Sequence, residues 1–281
     1  NWALQCLLTV FESNNIPIPT VFVTDCEQAL INSLSTTFPT SSHMLCTWHI
    51  QKNLLTNAAK TIKDKSREKK MLKHWNNLIR LPLESEFRSS FERFASEYGP
   101  AFQEYVTTTW LPVADKYSNA WTKMLPHFGH RTTSRIESAH SFIKTHLLGP
   151  QYSFSSVIKM ITIALEAQSH EISAQFHQQK INSLKNLPRI FENFLGKVTH
   201  YALRQAQQNF SEVSNVQRND VCNGFHRIRT GIPCKQRLAE LGWQGQMLEP
   251  SEFHPQWRIN VSFSSFLIFF MFFFCGVWAG R

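Results

Sequence analysis

The sequence predicts an α/β fold with a long all-helical interruption, and three observations carry that reading. The first 46 residues alternate helix, strand, helix and strand signals. From about Thr47 to Lys123 the strand signals vanish, and two further helical segments follow near residues 133–147 and 154–182. Alternation of this kind, in elements too short for antiparallel meanders, is the pattern of a parallel sheet with helical crossovers. At 281 residues the chain is long enough to bury a real core.

In residues 2–12, Trp2, Leu4, Leu7, Leu8, Val10 and Phe11 fall at helical spacing. Ser13-Asn14-Asn15 and the prolines Pro17 and Pro19 stop that helix. Residues 20–25 read as a short buried strand ending in Asp25, residues 26–36 as a second helix, and residues 43–46 as a second strand after the turn at Phe38-Pro39. The helical stretch then carries Trp75 and Trp110 as expected core anchors. Residues 154–182 place Val157, Ile161, Ala164, Leu165, Ile172 and Phe176 on one stripe, which reads as core. Residues 196–245 form a separate small module around Val221–Phe225 and Thr230–Gln236.

A net charge of +9 and a pI near 9.4 favour a polyanionic partner, nucleic acid or an anionic membrane, without choosing between them. Apolar content of 42% excludes wholesale disorder. Six cysteines (Cys6, Cys26, Cys46, Cys222, Cys234 and Cys275) spread over the chain do not make a disulfide scaffold, so a reducing compartment is expected. Residue 1 is Asn and the first methionine is Met44, so the chain reads as a fragment. Residues 261–280 carry no charge and are rich in Phe. A bilayer crossing needs about 20 apolar residues. That tail reads either as a transmembrane anchor or as translated non-coding sequence, the second preferred.

Several residues invite chemistry. An acid at the carboxyl end of a buried strand lies where α/β sheets bind ligands and metals, but Asp25 also suits a cap on the helix beginning near Cys26. Cys46 and His49, at i and i+3, present a thiol and an imidazole on one side of a helix start, as a zinc half-site or as a buried structural pair. Ser134 and Glu137 fit a capping box. Glu137 also shares a polar face with Ser141 and Lys144, while Ile136, Ala139, Ile143 and Leu147 form the buried stripe. Arg131, Arg135 and Lys144 around that acid suit contact with DNA phosphates.

The stretch VFVTDCEQALINSLSTTFPTSSHMLCTWHIQKNL, residues 21–54, resembles the second-aspartate region of Mutator-like element (MULE) transposases. TTSRIESAHSFIKTHL, residues 132–147, resembles the helix carrying the third acid in the same family. The resemblance covers roughly residues 1–180 and implies an RNase H-like core, residues 1–190, with a helical insertion over about 50–130. It implies an acidic-triad (DDE) site in which Asp25 and Glu137 are the second and third carboxylates and hold Mg²⁺ or Mn²⁺, and it places Cys46 and His49 at the family's C-x-x-H pair. The first aspartate would lie upstream of residue 1, so the chain is expected to be inactive as given, with an open sheet edge. Residues 222–236 resemble a degenerate SWIM-type zinc finger: Cys222 and Cys234 match, whereas Asn223-Gly224 supplies no second Cys and Gln236 stands where a His belongs. His226 is a substitute candidate.

The function so implied is that of a transposase fragment, nuclear, directed at transposon terminal-repeat DNA, using Mg²⁺ and with zinc as a further candidate metal. A homo-oligomer is a further expectation, and a membrane partner is not expected. The alternative is a transposase-derived transcription regulator that binds DNA without catalysis, similar to the far-red-response family.

Overall fold

The computed structural model describes residues 2–62, 64–147, 152–182, 184–259 and 278–280. Helix α1 (Trp2–Ser13), strand β1 (Val21–Thr24), helix α2 (Gln28–Thr37) and strand β2 (Ser42–Leu45) follow in the order the sequence predicts. The strands pair in parallel, from Val21 opposite Ser42 to Thr24 opposite Leu45. Parallel pairing requires a crossover, and α2 supplies it. All of β1 is buried, which is why it reads as a continuous apolar run rather than an alternation. Phe38, just after α2, packs its ring 4.8 Å from Phe22 of β1 and 6.1 Å from Phe11 of α1.

Trp278–Gly280 forms β3, which pairs antiparallel with β1 and gives the order β2-β1-β3. The edge of β1 that the sequence left open is therefore occupied by backbone, a correction to the expected exposed edge. Residues 261–277 of the Phe-rich tail lie outside the described residues. Among the described residues no helix is long and apolar enough to cross a membrane.

The fold is mostly helical, and among the described residues the strands belong to this small sheet. Helices α3 (Thr47–Thr61), α4 (Lys65–Leu78), α5 (Glu84–Glu97), α6 (Pro100–Thr109) and α7 (Asn119–Thr122) succeed one another with no strand between them. Two of these starts have a plain local cause. The Asp64 carboxylate accepts from Ser66 N–H before α4. Before α6, Gly99 takes φ 97° ahead of Pro100, a left-handed turn suited to glycine with proline preset for the first helical turn.

Trp75 and Trp110 are buried, as expected. The Trp75 ring lies 5.6 Å from Phe94 and 5.3 Å from Tyr117. The Tyr117 hydroxyl donates to the Trp110 carbonyl at 3.0 Å, which satisfies a buried polar group. The Trp75 indole Nε1 has no such acceptor among the described residues.

The chain divides into two compact units, Asn1–Arg135 with Gly276–Arg281, and Ile136–Cys275. The second contains most of α8 (Ser134–His146), then α9 (Phe154–Ile181), α10 (His200–Ser211), α11 (Phe225–Thr230) and α12 (Lys235–Trp243). On α9 only Ala164 is fully buried. The rest of its expected core stripe is half-buried. A tighter core gathers Phe194, Ala202, Leu203, Leu238 and Phe253.

This packing runs on to Ile259, past the residue-245 boundary drawn from the sequence. Ile259 N–H donates to the Lys197 carbonyl at 2.9 Å, and Thr199 N–H to the Trp257 carbonyl at 2.8 Å. Glu252 is paired by Arg237 and Arg227.

Trp75 yields a test of the helical core. Trp75→Ala should lower unfolding stability by about 3–5 kcal/mol. Trp75→Phe should cost about half that or less, because it keeps the ring and removes the unpaired N–H. Urea unfolding of the three proteins measures both.

Candidate functional site

Asp25 immediately follows β1 and is exposed. It does not cap α2, correcting one of the two readings open for it. The N-cap is Glu27, which itself makes no side-chain capping bond. Among the described residues the Asp25 carboxylate has no hydrogen bond or ion pair. Its charge is felt next door: burial first, and then Asp25, push the Cys26 thiol up.

Next to Asp25 the two strands carry a polar contact. Thr24 is fully buried, and its hydroxyl lies 2.7 Å from His43 Nε2 on the neighbouring strand and 2.8 Å from the Asp25 carbonyl. With the hydroxyl proton given to that carbonyl, His43 Nε2–H is the donor to Thr24. His43 Nδ1 has no partner among the described residues. A proton there would be buried without an acceptor, and burial pushes His43 down to about 4, helped by the charge of Lys116.

Cys46 and His49 lie where β2 passes into α3, and Thr133 ties them together. Cys46 Sγ accepts from both the backbone N–H and the hydroxyl of Thr133 at 3.3 Å, and the same hydroxyl lies 3.3 Å from His49 Nδ1. Arg131 belongs to the same junction: its carbonyl accepts from Thr47 N–H at 2.9 Å, its Nη1 donates to Asn119 Oδ1 at 2.9 Å, and its Nη2 donates to the Tyr117 carbonyl. Arg131 therefore holds the fold, a role its sequence position did not suggest. Just upstream, Phe128 and Gly129 both take positive φ, 51° and 85°. Phe128 is buried in that strained conformation.

Helix α8 begins at Ser134, one residue early for Ser134 to serve as its N-cap. Ile136, Ala139 and Ile143 are buried while Glu137, Ser141 and Lys144 are exposed, the two faces the spacing predicts. Arg135 is exposed as well. In the second unit Cys222 and Cys234 come together, Sγ to Sγ 3.4 Å. His226 is engaged elsewhere, its Nε2 3.1 Å from Asn209 Nδ2. Among the described residues no three His, Cys, Asp or Glu side chains are grouped to hold a metal. Two thiols with glutamine at position 236 do not fit a zinc finger, which takes four N or S ligands.

The described unit is a helix–strand–helix–strand framework with an exposed acid just after its first strand. Comparison with known families agrees: residues 1–53 match the family model of the MULE transposase domain. That span holds Asp25, Cys46 and His49 and supports the Mutator-like resemblance read from residues 21–54. Glu137, Cys222 and Cys234 lie beyond it. A curated relative, the PKS-NRPS hybrid synthetase cheA of Chaetomium globosum, is 21% identical over 314 aligned residues, 93% of this chain. The chain spans only 6% of that protein's length. No solved structure matches.

Two experiments probe the junction. Thr133→Val removes the hydroxyl shared by Cys46 and His49 and should cost about 1 kcal/mol in urea unfolding. The second is a pH series. The folded-state value of His43 lies below its unfolded value near 6.5. Its contribution is therefore present above about pH 6.5 and lost as pH falls towards 4. The loss should reach about 2–3 kcal/mol. His43→Gln should remove only its own share of that decline, because His130, which burial holds at about 3, declines over the same window, as do His226 and His254, also pushed down by burial.

Proposed function

We propose that this chain is part of a MULE-type DDE transposase, in which Asp25 and Glu137 are the second and third catalytic carboxylates. The observation that carries the reading is Asp25 itself. It is an exposed acid at the carboxyl end of a fully buried parallel strand, engaged neither as a helix cap nor in an ion pair. Leaving a carboxylate unpaired there contributes nothing to stability that the structure reveals, and carboxylate oxygens are the donors Mg²⁺ and Mn²⁺ prefer. The family match over residues 1–53 supports the assignment of Asp25. Glu137 rests on the resemblance at residues 132–147 and on its exposed position in the first turn of α8.

In that role the metal supplies activation of the attacking hydroxyl and stabilisation of the leaving oxygen. The chain's own contribution is to fix the acids. The buried Thr24–His43 pair stiffens the strand end beneath Asp25, and the exposed Arg135 and Lys144 neutralise phosphates of DNA, the partner a transposase requires. Arg131, held by Asn119 and Tyr117, serves as scaffold. With two of three carboxylates, metal binding by this chain alone is weak and strand transfer is not expected of it. Terminal-repeat DNA, the nucleus and a self-associated complex complete the proposal.

The test uses the full-length transposase containing this chain and a terminal-repeat duplex, with Mn²⁺. Loss of a group that merely supports a metal ligand typically costs 10–100-fold, so Asp25→Asn and Glu137→Gln should each lower cleavage by about a hundredfold or more. Urea midpoints should stay unchanged. Full activity in either variant would remove that acid from the site. Intact DNA binding without any Mn²⁺-dependent cleavage by the unmodified protein would favour the regulator instead.

A further inference from the structure

Cys222 and Cys234 meet without the partners a metal needs. The chain leaves Cys222 through Gly224, in a left-handed turn at φ 71°, runs through the single turn of α11, and reverses at Gly231, also left-handed at φ 68°. That path returns Cys234 to within 3.4 Å, sulfur to sulfur, of a residue twelve positions earlier. Cys222 is exposed and Cys234 is buried at the start of α12, where its sulfur accepts from Arg237 N–H at 3.4 Å.

The surrounding groups are committed elsewhere. Asn209 Nδ2 contacts His226 Nε2 at 3.1 Å and donates to the Pro233 carbonyl at 2.9 Å, and the Arg237 guanidinium is held by Glu240 and Glu252. Two sulfurs in contact, one open to solvent and with no third ligand grouped with them among the described residues, are placed for exchange rather than coordination.

We propose that Cys222 and Cys234 form a reversible intramolecular disulfide, a modification site driven by small-molecule disulfides such as oxidised glutathione. The exposed Cys222 thiolate attacks one sulfur of the small disulfide and releases one thiolate equivalent. A mixed disulfide on Cys222 results. Cys234 then loses its proton and attacks Cys222 Sγ, expelling the second equivalent. In sum the two protein thiols give up two protons and two electrons, and one small disulfide becomes two thiols. Burial pushes the Cys234 thiol up, so the second step is the slower one near neutral pH. The α12 amide that already reaches its sulfur stabilises the thiolate as it forms.

The experiment equilibrates the whole chain with mixtures of reduced and oxidised glutathione, quenches by alkylation, and maps tryptic peptides by mass. The expected product joins peptide 219–227 to peptide 230–235, with an equilibrium constant at least about tenfold higher in native buffer than in concentrated urea, where contact is lost. Cys222→Ser, an exposed substitution, should abolish the linkage and leave the fold unchanged. Equal linkage in urea would overturn the proposal, as would accumulation of Cys222 chiefly as its glutathione adduct. Zinc alone, added at equimolar concentration, should leave both thiols open to alkylation. Protection of both would assign the pair to metal and end the disulfide reading.

Discussion

The first unit depends on one closure: the end of β2 is bound to a segment some 87 residues further along the chain. Thr133 donates its N–H and its hydroxyl to Cys46, while Thr47 N–H donates to the Arg131 carbonyl. Between these points lie α3 to α7 with their own core. The two ends of a large helical stretch are thereby returned to the carboxyl end of the strands. A sulfur acceptor is weak, so the clasp relies on several modest bonds at one buried place rather than on one strong one.

Polar groups around this closure divide into those the fold consumes and those it leaves to solvent. Arg131, Thr133, His49 and Cys46 are consumed. Asp25 is left exposed. A protein of net charge +9 has ample cations, yet among the described residues no ion pair to Asp25 is formed.

The second unit shows the converse. Its cysteines are brought together, but the positions that would complete a metal shell hold glycine and glutamine, and the nearby histidine has been recruited by Asn209. Stability there comes from apolar packing and from the return of residues 250–259, where Glu252 joins Arg227 and Arg237.

Local chemistry settled much of this in advance. The apolar run 20–25, the helical spacing in 2–12, and the two faces of residues 134–146 each require one conformation to bury what must be buried, so β1, α1 and α8 were legible within a residue or two. Trp75 and Trp110 were legible as core because nothing else hides an indole so fully. Tertiary structure alone decided the roles of Thr133, Arg131 and His43, since each draws its meaning from a partner far away or on another strand. It also decided that Asp25 caps no helix, that β1 has a neighbour on its outer edge, and that the α9 stripe is only half-buried. Period and composition report what one element wants to bury, whereas which polar group meets which is fixed only when distant segments are packed together.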